Sequence, residues 1–273
     1  MKTDKIGFIG GGNMARSLMN GLIASGHPQE RLWVSDINPE TLANLAASLS
    51  VNTAVDNHSV IDAVDVVVLA VKPQTLKTVA QSLATSIQKK HTLVISIAAG
   101  ITLASLKTWL GQDVAIVRCM PNTPALVLTG ATALHGNNNL TAEQRDLAEN
   151  IMRSVGIALW VDHEQDLDAV TAISGSGPAY YFLLMEAMEK TAVALGLDAE
   201  TARLLVQQTA LGAAKIALES ANSPEELRRQ VTSPGGTTEQ AIETFMQGGF
   251  SGLVAKALHA ARDRSIAMSK PTE

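Results

Sequence analysis

Ile6-Gly7-Phe8-Ile9-Gly10-Gly11-Gly12-Asn13-Met14-Ala15 is the stretch on which the fold turns. Gly10, Gly12 and Ala15 occupy the three positions of the G-x-G-x-x-G/A fingerprint of dinucleotide binding. Context carries more weight than the letters. The apolar run Lys5–Ile9 predicts a strand just before the motif, and Met14–Ser25 predicts a helix just after it. In that setting Gly10 makes the tight turn. Gly12 lets a pyrophosphate approach backbone N–H groups at the helix start, and Ala15 permits close packing of helix on strand. Gly11, Asn13 and Met14 complete the predicted cofactor turn.

Working outward, Val- and Ile-rich runs recur at Arg31–Ser35, Asp65–Val71, Thr92–Ile97 and Val114–Cys119, separated by stretches of helical period. Val66-Val67-Val68-Leu69-Ala70 is apolar on both faces, as suits a parallel strand covered by helices on each side. These features predict a doubly wound α/β sheet of the Rossmann type. The pattern weakens after Asn122, then returns as strands near Ala131–Leu134 and Ile157–Val161 around a helix at Ala142–Ser154. From Glu164 onward the β signal is gone. Helices are predicted at Glu164–Ile173, Pro178–Leu195, Ala199–Ser220, Pro224–Gln230, Thr238–Gln247 and Ser251–Met268, with Pro178 and Pro224 in first turns. The expected organisation is a dinucleotide-binding domain over residues 1–162 and an all-helical domain over 163–273.

Along Leu204–Leu218 only Gln207, Gln208 and Lys215 are strongly polar, so the apolar surface exceeds one helical stripe. A helical domain of about 100 residues encloses such a helix poorly, and a second subunit is expected against it. A central helix of a monomeric bundle is the alternative.

Composition narrows the function. A formal net charge of −5, no run of Lys or Arg and nine aromatic residues leave no electrostatic footprint or stacking platform for nucleic acid. Cys119 is the only cysteine, so no internal disulfide forms, and no Cys/His pair has metal-ligand spacing. Neither a metal site nor a membrane partner is expected, since no segment reaches ~18 uninterrupted apolar residues. A cytoplasmic protein is the expectation, the apolar stretch at the start being too short for a signal-peptide core.

Asp36 ends the second predicted strand, where a carboxylate binds the adenosine ribose hydroxyls and repels a 2′-phosphate. That rule gives NADH. Ser35 and Asn38 beside it would bind a phosphate if the carboxylate turned away, so NADPH stays open. Asp36 as a strand end or a cap for the helix near Pro39 is the plain alternative. Ala70-Val71-Lys72-Pro73 puts a cation and a rigid turn at the carboxyl edge of the sheet, and Lys72 is expected to face the cofactor. Ser96-Ile97-Ala98-Ala99-Gly100 ends the next strand with small residues, against which a flat ring fits. The nicotinamide is expected over Ala98 and Ala99.

These stretches, with Met120-Pro121-Asn122-Thr123-Pro124, Ser174-Gly175-Ser176-Gly177-Pro178-Ala179-Tyr180 and Ser233-Pro234-Gly235-Gly236-Thr237-Thr238, resemble the pyrroline-5-carboxylate reductases over nearly the whole chain. The last two motifs are the specific ones. The resemblance implies reduction of (S)-1-pyrroline-5-carboxylate to L-proline by NADPH or NADH, the final step of proline biosynthesis. It also implies a homodimer through the helical domain, which this family often builds into decamers.

Within Thr232–Thr238, glycines expose backbone N–H groups before a helix start, with hydroxyls beside them. That is an uncharged receptor for a carboxylate. The alternative is a plain helix connection capped by Thr237. By resemblance, Ser233, Gly236, Thr237 and Thr238 hold the substrate, and Thr238 is the candidate catalytic residue near the ring nitrogen. Resemblance also implies Glu164 near the substrate, Ser35 and Asn57 near the adenosine end, and Gln230 near the cofactor, where the family often has Asn. Dehydrogenases acting on hydroxyl or carbonyl groups use a positioned His, Lys or Tyr, and none is recognised here; the six histidines read as surface or capping residues. An imine nitrogen arrives already protonated, so positioning suffices.

Two other functions compete. A β-hydroxyacid dehydrogenase needs a catalytic Lys on the long helix, where Ala179–Leu195 offers only Lys190. A non-catalytic dinucleotide sensor would have no use for the Ser233–Thr238 loop.

Overall fold

The computed structural model describes residues 4–269 of the 273-residue chain. Its elements run β1 (Ile6–Ile9), α1 (Asn13–Ala24), β2 (Leu32–Ser35), α2 (Pro39–Leu49), β3 (Asn52–Ala54), α3 (Asn57–Ala63), β4 (Val66–Leu69), α4 (Pro73–Lys90), β5 (Leu93–Ser96), α5 (Leu103–Leu110), β6 (Ile116–Met120), β7 (Gly130–Gly136), α6 (Ala142–Arg153) and β8 (Gly156–Trp160). Then follow α7 (Asp166–Val170), a π-helical turn (Thr171–Gly175), α8 (Gly177–Ala194), α9 (Ala199–Glu219), α10 (Pro224–Gln230), α11 (Thr237–Gln247) and α12 (Phe250–Met268).

One sheet of order β3-β2-β1-β4-β5-β6-β7-β8 organises the first half. All neighbours are parallel except β6 and β7. The chain winds outward from β1 to β3, then returns to β4 on the other side of β1. That reversal opens a crevice at the carboxyl ends of β1 and β4, where dinucleotides bind in such sheets. Strand alternation divides the core into two layers. Phe8, Val34 and Val68 pack with Leu18, Met19 and Leu22 of α1 and Ile151 and Met152 of α6. Ile9, Val67 and Leu69 face Ile61 of α3, Leu76 and Leu83 of α4 and Leu106 of α5.

The predicted strands are all present, and β3 is added to them. Its Asn52-Thr53-Ala54 is short, polar and at the sheet edge, so it carries no apolar period for sequence reading to find. His27, expected at the surface, is buried: its N–H donates to Leu22 O (2.9 Å), closing α1 behind Gly26.

The chain forms two compact units, one running up to Ser176 and resuming from Ala260, the other Gly177–His259. The sheet itself ends at Trp160, close to the boundary expected after residue 162. The first unit is nevertheless longer, because the α7 segment packs on β6 and β7 and the end of α12 returns to it. Ser265 of α12 donates its hydroxyl to Asp168 of α7 at 2.6 Å.

In the second unit α8 packs on α9, yet little is enclosed. Along α9 only Ala202 and Val206 are buried. Leu204, Leu211 and Leu218 recur every seven residues and are 60%, 62% and 85% exposed. Among the described residues no helix is long and apolar enough to cross a membrane.

Candidate active site

The glycine turn is tied to the end of β2 by two hydrogen bonds. Gly10 N–H donates to Ser35 O (2.8 Å), and Gly11 N–H donates to Asp36 Oδ2 (2.7 Å). Gly10 has φ +102°, and a Cβ there would lie 2.8 Å from Ala70 O, so only glycine brings the β1 turn this close to the end of β4. Nothing lies within 4 Å of the direction a Cβ at Gly12 would take, which leaves room for a ligand over the backbone.

Helix α1 opens at Gly12 with no side-chain cap and no acidic residue in its first turn. Helix α4 opens at Lys72, also without a side-chain cap. In contrast α2, α3, α5 and α6 are capped by Asn38, Asp56, Thr102 and Thr141. First-turn N–H groups need acceptors, so these two uncapped helix starts, which carry no acidic residue in their first turns, suit an external anion. Lys72 is exposed beside one of them.

Asp36 is half-buried, and its Oδ1 accepts from Asn38 N–H at 2.8 Å. Each carboxylate oxygen therefore has a backbone donor, which fixes the charge next to the glycine turn. Ser35 is buried and donates its hydroxyl to Asn57 Oδ1 (2.7 Å), bringing together two residues expected at the adenosine end. Ala70, Val71 and Pro73 lie partly buried at the carboxyl edge. Ala98 is buried and Ala99 half-buried in the loop after β5. The predicted cofactor residues of this unit thus gather along one sheet edge.

Glu164 is part of a structure that sequence reading missed. Its Oε1 accepts from Leu103 N–H (2.7 Å) and from Arg118 Nη1 (2.9 Å). Arg118 sits on β6, level with Ser96 of β5, and is 5% exposed. Thr102, Arg118, Glu164, Gln165, Asp168, Ile266 and Ser269 line a cavity of about 260 Å³. The available signal was an arginine inside the otherwise apolar run Val114–Cys119, since a buried guanidinium requires a partner. Asn122 is likewise buried and structural: it accepts from Ala131 N–H (2.8 Å) and donates to Ser174 O (3.0 Å).

In the second unit, α11 starts at Gly236, again without a side-chain cap. Gly236 N–H donates to Ser233 O (3.0 Å), folding Ser233–Thr237 into a tight turn. Gly235 N–H donates to Glu239 Oε2 (2.7 Å), so the loop already receives a carboxylate. Helices α9 and α10 of the same unit are capped by Asp198 and Ser223. Thr238 is at the second helical position of α11, and Gln230 is the exposed last residue of α10. Lys190, the residue a β-hydroxyacid dehydrogenase would need, is exposed and ion-paired with Glu186. Among the described residues no group of three or more His, Cys, Asp or Glu side chains is placed to hold a metal ion.

Comparison with known proteins agrees with this geometry. Residues 164–268 match the family model "Pyrroline-5-carboxylate reductase dimerisation", and residues 5–100 match "NADP oxidoreductase coenzyme F420-dependent". The pyrroline-5-carboxylate reductase of Pseudomonas aeruginosa is 51% identical over 270 residues, covering 99% of this chain and 98% of the relative. The solved reductase of Coxiella burnetii superposes with a TM-score of 0.94 at 47% identity, covering 98% of this chain and 100% of that one. The Plasmodium falciparum enzyme, solved with NADP bound, gives 0.88 at 30% identity, covering 99% and 100%. With that identity along its full length, a fingerprint turn at the sheet crevice and an uncapped glycine loop before α11, the chain belongs to the pyrroline-5-carboxylate reductase family.

Proposed function

We propose that the chain reduces (S)-1-pyrroline-5-carboxylate to L-proline with NADPH or NADH. The observation that carries this reading is the Ser233–Thr238 loop, where α11 starts at Gly236 without a side-chain cap and leaves first-turn N–H groups for a carboxylate. In this reading Gly236, Thr237 and Thr238 hold the substrate carboxylate and ring, and Ser233 supports the loop. Thr238 hydroxyl positions the protonated ring nitrogen, and Glu164 stands near the substrate. Gly10, Gly11, Gly12, Asn13 and Met14 receive the pyrophosphate, Ser35, Asp36 and Asn57 the adenosine end, and Lys72 with Gln230 the remaining cofactor polar groups. Bound there, a reduced nicotinamide supplies hydride over Ala98 and Ala99. The fit rests on the open backbone over Gly12 and the uncapped start of α1.

No strong acid is required, since the iminium carries its proton from solvent and the protein contributes orientation. The exposed Leu204, Leu211 and Leu218 stripe supports a homodimer through the helical unit, in keeping with the matched dimerisation family. A lone buried cysteine suits a reducing, cytoplasmic setting.

The test is oxidation of NADH and NADPH, followed by absorbance, with pyrroline-5-carboxylate set against 2-keto and 3-hydroxy acids. Turnover with the imine alone is expected. Thr238→Ala should lower kcat/KM by about 10- to 100-fold while leaving cofactor affinity near wild type. Turnover of a hydroxy acid, or none with the imine, would overturn the proposal.

A further inference from the structure

Six residues, Ile97–Thr102, join β5 to α5 and carry the Ala98–Ala99 surface on which the nicotinamide is proposed to lie. One end of this loop is set by the sheet, where Ser96 pairs with Arg118 of β6. The other end is set by Leu103, the first residue of α5, whose N–H donates to Glu164 Oε1 at 2.7 Å. That same oxygen accepts from Arg118 Nη1 at 2.9 Å. Arg118 thus rises from the strand position paired with the loop's beginning, and its guanidinium meets the carboxylate that holds the loop's end.

The first turn of α5 shows how the work is divided. Thr102 Oγ1 accepts from Ser105 N–H at 3.1 Å, an ordinary cap. Leu103 N–H, which no cap side chain reaches, is served instead by a carboxylate 61 residues away in sequence. A cap within α5 would have sufficed for helix stability. The distant partner also links this helix start to β6 and to the segment before α7. At the loop's turn, Gly100 has φ +74°, and a Cβ there would lie 3.1 Å from Met268 Cβ, so the end of α12 closes over it. The loop is held at both ends and covered at its turn.

We infer that Arg118 and Glu164 are positioning residues for hydride transfer, acting as a clamp on the Ile97–Thr102 loop. The inference deepens the proposed function, because it rests on the nicotinamide lying over Ala98 and Ala99. A displaced loop would misplace the ring while the glycine turn still held the pyrophosphate. The clamp therefore governs the rate of the hydride step more than cofactor affinity.

The experiment uses the full chain as Arg118→Met, Glu164→Ala, the double variant and Glu164→Gln. Single-turnover hydride transfer is measured with NADPH and its 4-deuterated form, and NADPH affinity by isothermal titration calorimetry. Arg118→Met and Glu164→Ala should each slow transfer by about 10- to 100-fold, the cost of a misplacement near 1 Å. The dissociation constant for NADPH should move by less than about threefold, because its phosphates are held elsewhere. The double variant should be slower than either single one by no more than about threefold, since the two residues act through one contact. Glu164→Gln keeps an acceptor for Leu103 N–H and should recover most of the rate, which a substrate-charge role for Glu164 would not allow.

Unchanged transfer in Glu164→Ala, multiplied losses in the double variant, or no recovery in Glu164→Gln would each overturn the clamp. If Arg118→Met fails to fold, the two Glu164 variants decide alone, because that side chain is 23% exposed and tolerates replacement. Failure of the function itself would be seen separately, as a wild type inactive on pyrroline-5-carboxylate. In that event the fluorescence enhancement of bound NADPH still reads the clamp: its loss in Glu164→Ala supports the inference, and its retention refutes it.

Discussion

Replacing Asp36 with Asn should shift cofactor preference toward NADPH, by an amount the geometry lets us work out. The Asp36 carboxylate is fixed beside the glycine turn by Gly11 N–H at 2.7 Å and Asn38 N–H at 2.8 Å, so it cannot turn away without leaving two donors unpaired. A 2′-phosphate brings about −1.5 to −2 charges to the adenosine ribose. Two unit charges about 5 Å apart repel by about 1 kcal/mol in bulk water and about 3 kcal/mol at an effective dielectric near 20. Asp36 is half-buried and salt screens the pair, so about 2 kcal/mol is a reasonable net penalty against NADPH. Asparagine removes the charge and keeps one carbonyl acceptor. The lost second acceptor costs about 1 kcal/mol for either cofactor and cancels in the comparison. The ratio of kcat/KM for NADPH to that for NADH should therefore rise about 30-fold in Asp36→Asn. Initial rates with each cofactor at saturating imine and constant ionic strength give that ratio directly. A change smaller than about twofold would refute the reasoning, because even the bulk-water repulsion of about 1 kcal/mol predicts about fivefold.

Two further outcomes follow from other parts of the chain. Leu211→Glu should dissociate the homodimer: each buried leucine contributes about 1.5–3 kcal/mol and a twofold axis counts it twice. Sedimentation or light scattering should then report a monomer; an unchanged assembly would place the subunit contact elsewhere. Glu149 gives a pH-dependent case. Its carboxylate accepts from Arg153 Nε (2.7 Å) and Trp160 Nε1 (2.8 Å), and the Arg153 bond, followed by the Trp160 bond, holds it below the usual carboxylate range. A group lowered in this way adds stability above its unfolded range and loses it as pH falls through its folded range. Glu149→Gln should cost about 0.5–1 kcal/mol at pH 7, the worth of a partly exposed pair. The difference in Tm between the two proteins should shrink below about pH 4. A constant difference down to pH 2 would show that packing, rather than charge, is responsible.

How much of this was legible in the sequence depended on whether the determining interactions were local. The β1–glycine turn–α1 unit was readable because its period, its turn and its helix start lie within about twenty residues and each admits few alternatives. The same holds for the Ser233–Thr238 loop, where Gly236 and the following threonines announce an open helix start. The three-residue β3 was not readable, since an edge strand gains its order from pairing with β2 rather than from its own side chains. The sheet order and the reversal at β7 depend on pairings between distant segments, to which helical or strand period is blind.

Glu164 and Arg118 show the same division within the candidate site. Resemblance pointed to Glu164 as a residue near the substrate, but the partners of its carboxylate lie 46 and 61 positions away and become neighbours only when β6, α5 and the segment before α7 are assembled. Arg118 was visible as an anomaly, a charge in a strand apolar on either side, without any indication of what answered it. Burying a guanidinium at 5% exposure is costly unless it is paired, and a leucine at that point would fill β6 more cheaply. Stability alone therefore does not account for the charge. What the pair adds is a link from β6, which pairs with the end of β5, to the start of α5, and the proposed clamp on the intervening loop rests on that link.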